Sequence, residues 1–271
     1  MFELMPDIKK RNNIQILGEG DQALVFAHGY GCDQNMWRHL TPDFKQTHKI
    51  VLFDHVGSGQ SDESAYDFEK YRKLDGYAND VIEILDELQL SKVIFVAHSV
   101  SCMIAVLAAN KRPDLFKNLV LIGPSPCYIN QGDYYGGFSK KDIDELVETL
   151  ESNYLGWSSF ITPVIAGDTE QPEVSEELHN SFCQMNPDIA KHFAKVTFTG
   201  DNREDLGKVS IPSLIIQCNP DAIAPLEVGN YVKKEMQNAE IKVFDIPGHC
   251  PHLTAPKKTS EALNEYLSKS V

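Results

Sequence analysis

Val93-Ile94-Phe95-Val96-Ala97-His98-Ser99-Val100-Ser101 puts one serine on the corner between a strand and a helix. The run before it is short, apolar and β-branched, the composition of a strand buried on both faces of a parallel sheet. The run after it, Cys102 to Ala109, is small, apolar and helix-favouring, and Lys111-Arg112-Pro113 closes it with two cations and a proline. A serine pinned there stands at the mouth of the sheet with a helix N-terminus behind its Oγ. The ideal corner reads G-x-S-x-G, because the turn is tight and neighbouring backbone comes close. Here Ala97 and Ser101, the next smallest residues, take the glycine places. An isolated serine in such a position is more often a helix cap, so the rest of the chain has to decide.

A nucleophilic serine needs a base within hydrogen-bond reach and an acid to orient that base. In sheets built on this corner the acid and then the histidine follow the serine, on loops after later strands. Pro212 to Cys218 reads as a buried strand, and Asn219-Pro220-Asp221 as the loop at its end. Glu240 to Ile246 alternates as a further strand and runs into Pro247-Gly248-His249-Cys250-Pro251-His252. Asp221 and His249 therefore stand where acid and base are required.

The chain has nine histidines, and the other eight rank below His249. His39, His48, His179 and His192 sit in polar or amphipathic segments, and His55 and His98 flank loops with no charged partner nearby in sequence. His252 is the serious rival, but Gly248 gives the loop the freedom to project His249. Asp245 rivals Asp221 as the acid, yet it falls at the end of its strand rather than in a free loop. The remaining requirement is a pair of N–H donors aimed where negative charge develops. One is the amide of Val100, next to the serine. The other is read as the amide of Tyr30, in the His28-Gly29-Tyr30-Gly31 turn after the strand Ala23 to Ala27.

Around these residues, strands and helices alternate. Strands are expected at 12–18, 23–28, 49–53, 93–98 and 119–122, with helices over 35–44, 77–88 and the segment after Ser99. From 125 to 210 alternation stops, and four helices are expected, at 139–154, 157–166, 173–185 and 188–199, with a break at Gly167 to Pro172. Alternation resumes at Pro212 and ends in a helix over 257–267. The fold class is α/β: a mostly parallel central sheet with helices on both faces, made of 1–124 and 211–271, interrupted by a four-helix lid over 125–210.

Composition bounds the function. A chain of 271 residues holds one large α/β domain with an insertion. A net charge of −14 argues against nucleic acid or an anionic membrane as partner. No run of about 18 apolar residues exists, and Met1 to Asn13 lacks the apolar centre of a signal peptide. Six scattered cysteines without a C-x-x-C pair point to a reducing, cytoplasmic compartment. No dinucleotide fingerprint, phosphate loop or metal-ligand spacing is present, so neither a cofactor nor a metal is expected.

Over essentially its whole length the chain resembles the α/β-hydrolases, and among them the RsbQ-type bacterial regulators and the plant karrikin and strigolactone receptors. The likeness rests on Gly29-Tyr30-Gly31-Cys32-Asp33-Gln34, Phe53-Asp54-His55-Val56-Gly57-Ser58-Gly59, Leu74-Asp75-Gly76-Tyr77-Ala78, His98-Ser99-Val100-Ser101, Gly123 to Tyr128, Tyr135-Gly136-Gly137-Phe138 and Gly248 to His252. The resemblance implies a triad of Ser99, Asp221 and His249 and oxyanion donors at Tyr30 and Val100. Ala97 departs from the usual glycine, whereas serine at 101 is shared with the plant receptors.

Tyr128, Tyr134, Phe138, Trp157, Ile161 and Phe198 are candidate pocket residues, several of them matching pocket positions of the relatives. As a set beside a nucleophile they imply a small, enclosed, apolar cavity. Lys140, Lys141, Lys191 and Lys195 read as solvent-facing, so the expected substrate is a small neutral ester or lactone. Two functions stay open. One is an RsbQ-like signalling hydrolase that cleaves an apolar ligand and passes the event to a regulatory phosphatase with a sensor domain, in a stress response. The other is a metabolic carboxylesterase or lactonase with no partner. Cofactor-free oxidation or C–C cleavage is a weaker third reading, since fold does not fix function.

Overall fold

A computed structural model describes residues 7–167 and 171–269. Its sheet has seven strands: β1 (Gln15–Leu17), β2 (Ala23–Ala27), β3 (Lys49–Phe53), β4 (Val93–His98), β5 (Phe116–Ile122), β6 (Ser213–Asn219) and β7 (Ala239–Asp245). They lie in the order β1-β3-β2-β4-β5-β6-β7, and only β1 runs antiparallel to its neighbour. The serine-bearing strand β4 is central and buried along its whole length. Successive side chains point to opposite faces, so Ile94 and Val96 enter one core with Leu24, Phe26 and Trp37. Phe95 and Ala97 enter the other, with Val25, Phe53 and Tyr77. Two covered faces explain why these strands read as continuous apolar runs.

Helix α1 (Leu74–Glu87) buries Leu74, Tyr77, Ala78, Val81, Ile84 and Leu85, a single stripe at helical spacing. Helix α2 (Val100–Lys111) is buried on nearly all sides, because it lies between the sheet and α1. The insertion between β5 and β6 folds as four helices: α3 (Lys140–Ser152), α4 (Tyr154–Ala166), α5 (Pro172–Gln184) and α6 (Pro187–Thr199). Ser139 and Asp142 form a reciprocal capping box that starts α3. Proline opens α5 and α6, where its missing N–H costs nothing. Helix α4 ends on Gly167 in the left-handed conformation. The expected break continues into 168–170, which lie outside the described residues.

Several expected boundaries move. The helix over 35–44 is two short turns, Gln34–Trp37 and Thr41–Phe44. Pro42 forces the division, since it cannot donate inside a continuous helix. The first strand shrinks from 12–18 to β1, because the Asn12 side chain donates instead to the Asp54 carbonyl and Asn13 takes φ +45°. The helix expected from Tyr77 begins at Leu74, and the strand expected at 119–122 starts at Phe116. Among the described residues no helix is long and apolar enough to cross a membrane.

Candidate active site

Ser99 sits between β4 and α2 with φ +57° and ψ −122°. A side-chain residue at positive φ is strained by roughly 1–3 kcal/mol and persists only where its surroundings over-determine it. Here its own N–H donates to Ile122 O at 2.9 Å and its carbonyl accepts from Cys102 N at 2.9 Å. The strain is that of a sharp strand-to-helix corner. Ala97 replaces the usual glycine without a clash because its cross-strand neighbour on β2 is Ala27, itself a single methyl.

The three residues expected to act together do meet. His249 Nε2 lies 2.9 Å from Ser99 Oγ, and His249 Nδ1 lies 2.7 Å from Asp221 Oδ2. Asp221 Oδ1 accepts from the amides of Ile223 and Ala224 at 2.8 and 3.0 Å. The carboxylate can only accept, so Nδ1 carries the imidazole proton and the Nε2 lone pair faces the serine. His249 is held by backbone as well. His249 N donates to Ile165 O in the last turn of α4 at 2.8 Å. Gly248, at φ +98°, packs so closely that a Cβ there would lie 2.5 Å from Ala166 O. That glycine lets the loop pass against the lid.

The rivals are elsewhere. Asp245 is exposed at the end of β7. His252 is fully buried against Trp37 and His98, at ring-centroid distances of 4.7 and 4.5 Å. Neither of its nitrogens has a partner, and burial, with His249 next, lowers its pKa to about 3. His98 Nε2 lies 3.0 Å from His249 O and must carry the proton it gives to that carbonyl. His98, Cys250 and His252 bring potential ligand atoms within 4.8 Å of one another. The His98 nitrogen nearest Cys250 is spent on that carbonyl, and burial pushes the Cys250 thiol well up. The trio therefore fits a metal poorly.

The Val100 amide, first in α2, has no intrahelical acceptor and opens beside Ser99. Tyr30 follows Gly29 in the loop after β2. Its side chain does more than its amide suggested: the ring is wedged among Trp157, Phe182, Phe193 and Phe198, and its hydroxyl donates to Ala190 O of α6 at 3.0 Å.

A narrow cavity of about 30 Å³ opens on Ser99 and His249. Of the candidate lining residues, Tyr128, Trp157, Ile161 and Phe198 face it. Tyr134 and Phe138 do not. The Tyr134 hydroxyl donates to Cys127 O at 2.7 Å, and its ring packs on Tyr231 under the Arg203 guanidinium. Phe138 stands behind Tyr128, at 6.4 Å between ring centroids. Both lie in the loop after Cys127, where Tyr134 pairs with Gln131 across a tight turn and Phe138 bridges to Ile129. The sequence reading missed Leu178 and Phe182, which line the cavity together with Ile165, Thr197 and Ile223. Their signal was present: Val174, Leu178 and Phe182 repeat every fourth residue along α5. Lys140, Lys141 and Lys195 are exposed and Lys191 is half-buried, and the cavity wall carries no lysine or arginine.

Burial gives the site an acid limit. His55 and His98 are buried and neutral, both with pKa values well below the usual one, and His252 is at about 3. Below the ordinary histidine value of 6.5 the unfolded chain binds protons that the folded one refuses, so stability falls with falling pH from there toward 3. Each such group contributes a slope of up to about 1.4 kcal/mol per pH unit. The urea midpoint should therefore drop markedly between about pH 7.5 and about pH 5. An unchanged midpoint would show that these imidazoles protonate freely in the folded protein.

Comparisons with known proteins identify the family. A family model described as the alpha/beta hydrolase fold matches residues 22–143. "Karrikin insensitive 2 receptor CA" of Petunia hybrida is 41% identical over 97% of this chain and 98% of its own length. "Strigolactone esterase RMS3" of Pisum sativum is 36% identical, covering 95% and 97%. A solved structure of a hydrolase from Oleispira antarctica superposes with a TM-score of 0.94 at 40% identity, over 97% of this chain and 96% of that one.

Proposed function

The chain belongs to the α/β-hydrolase family, and from that premise we propose that it is a serine hydrolase of small, neutral, apolar esters or lactones. The observation that carries this reading is the Ser99–His249–Asp221 hydrogen-bonded chain opening on an apolar cavity. Ser99 Oγ attacks the ligand carbonyl while His249 Nε2 takes its proton and Asp221 stabilises the imidazolium. The Tyr30 and Val100 amides hold the oxyanion. His249 returns its proton to the leaving alkoxide. It then deprotonates a water that attacks the acyl carbon, and passes that proton to Ser99 Oγ as the bond between Oγ and the acyl group breaks. For a lactone both products are one molecule, a hydroxy acid. No cofactor takes part in these steps. The cavity is narrow and walled by aromatic side chains of the lid, so entry of a ligand displaces some of them.

The output we propose is signalling of the RsbQ type. The ligand event is passed to a protein partner, a regulatory phosphatase with a sensor domain, in a cytoplasmic stress response. Full-length likeness to a protein named as a receptor supports this, and six unpaired cysteines, five of them buried, support a reducing compartment. The alternative is a metabolic esterase or lactonase, favoured by the esterase names among the relatives. Time courses on small neutral lactones, with and without the purified phosphatase, separate the two. Signalling predicts one rapid turnover followed by a rate far below the enzyme median of about 10 s⁻¹, with ligand-dependent binding of the phosphatase. Rapid multiple turnover and no phosphatase binding would leave the metabolic reading.

Phe198 tests the pocket. Its ring packs on Tyr128 at 5.0 Å and on Tyr30 at 6.3 Å. Phe198→Asp should weaken quenching of tryptophan fluorescence by small lactones far more than it lowers the melting temperature. A carboxylate at a cavity wall recovers some hydration, whereas an apolar ligand then meets a charge. A variant that melts far lower, with lactone affinity kept while it is folded, would make Phe198 a core residue only.

A further inference from the structure

Ser101 occupies the second glycine place of the elbow, and its hydroxyl is not idle. Ser101 Oγ donates to His28 O at 2.5 Å and lies 2.7 Å from His55 Nε2. The backbone N–H of His55 donates in turn to His28 Nε2 at 3.0 Å, and His28 Nδ1 lies 2.8 Å from Gly29 O. All three side chains are buried.

The protons can be placed without choice. His28 Nε2 faces a backbone N–H, so it is a lone pair, and His28 Nδ1 donates to Gly29 O. A carbonyl only accepts, so the single Ser101 proton goes to His28 O. His55 Nε2 must then donate to Ser101, which leaves His55 Nδ1 bare, and that atom has no partner. Gly29 O belongs to the same planar peptide unit as Tyr30 N–H, and the two point in opposite directions. Fixing Gly29 O therefore fixes the direction of the Tyr30 N–H. Donation to that carbonyl also polarises the peptide and strengthens its N–H as a donor.

We infer that Ser101, braced by His55, is a positioning residue for the oxyanion hole: through His28 it aims the Tyr30 amide at the reacting carbonyl. A glycine at this place keeps the turn but carries no hydroxyl. The inference rests on the serine-hydrolase reading above and deepens it. Neither Ser101 nor His55 touches the substrate; they act through the peptide plane.

The test is steady-state hydrolysis of p-nitrophenyl acetate by wild type, Ser101→Ala, His55→Phe and the double variant, beside binding of phenylboronic acid. The boronate adds to Ser99 and presents a tetrahedral oxyanion. Losing an oxyanion donor outright costs about 10²–10³ in kcat, and a misaimed donor should cost less. Ser101→Ala should lower kcat about 10-fold with KM within about two-fold. Boronate affinity should fall in step, while quenching by a lactone in the Ser99→Ala background is unchanged by adding Ser101→Ala. His55→Phe should act in the same direction, and the double variant should be no worse than Ser101→Ala, because the two residues form one chain. Unchanged kcat and boronate affinity in Ser101→Ala would overturn the inference. So would equal losses of boronate and lactone affinity, which mark a merely structural role. Activity surviving in Ser99→Ala alone would strike the parent reading instead, and that variant is measured beside the others.

Discussion

Ser99→Ala is expected to abolish hydrolysis of small activated esters, with a loss of roughly 10³-fold or more in kcat. The size follows from what the hydroxyl does. It lies 2.9 Å from His249 Nε2 and at the mouth of the cavity. No neighbouring group replaces it, since burial pushes the Cys32 and Cys250 thiols on the same wall well up, far from the thiolate form. The Tyr128 hydroxyl is likewise held protonated by burial. Folding should be unaffected. Alanine inherits the same positive φ and therefore the same strain, and the side chain fills no core volume. Ser99→Gly makes a useful companion, because glycine relieves the backbone strain: it should be equally inactive but more stable. A fluorophosphonate probe should add its mass to the wild type at Ser99 and leave both variants unlabelled. If Ser99→Ala kept most of its activity, or took up the probe, the nucleophile would be another residue.

The parts of this site that could be read from sequence are those carried by chain order. Ser99 and Asp221 follow apolar strands and His249 an alternating one, and parallel strands bring their C-terminal ends to one edge of the sheet, so linear order becomes proximity. The lid helices were legible from breaks expected near Leu155-Gly156, Gly167 to Pro172 and Asn186-Pro187; the first falls earlier, at Asn153, whose side chain caps the helix that contains Leu155 and Gly156. Direction was not. Tyr134 and Phe138 are as aromatic as Tyr128, and only the turn that contains them decides which ring faces the serine. Phe182 had a clear period, but periodicity does not say which neighbour a helix turns its stripe toward. The chain from Ser101 to His28 and His55 was illegible for a further reason. It joins two loops and the first turn of α2, which touch only once the sheet has formed, and a serine in a glycine's place looks at first like a tolerated departure. Helix expectation over 35–44 failed on a local rule that was visible, Pro42, against an apolar pattern that suggested continuity.

The two histidines three residues apart should part company when each is replaced. His249→Ala should lose activity to about the extent of Ser99→Ala, because the triad acts as a unit and its members are not additive. The double variant Ser99→Ala/His249→Ala should accordingly be no worse than either alone. His252→Ala should keep kcat within about 10-fold and instead lose stability. Its ring is wholly buried between Trp37 and His98, and emptying such a site costs about 2–4 kcal/mol by analogy with other buried rings. The unpaired nitrogens make a second variant informative. An imidazole with no hydrogen bond in a buried site contributes only its volume there, so His252→Leu should recover most of the stability that His252→Ala loses. It should also flatten the acid limb of the stability curve, since one of the three buried histidines with a strongly lowered pKa, His55, His98 and His252, is gone. Activity, urea midpoint and circular dichroism on the four proteins decide it. Inactivity of folded His252→Leu, with His249→Ala still active, would reverse the assignment of the base. Its mechanism would then have to explain how an imidazole stacked behind the sheet edge reaches a serine that His249 already touches.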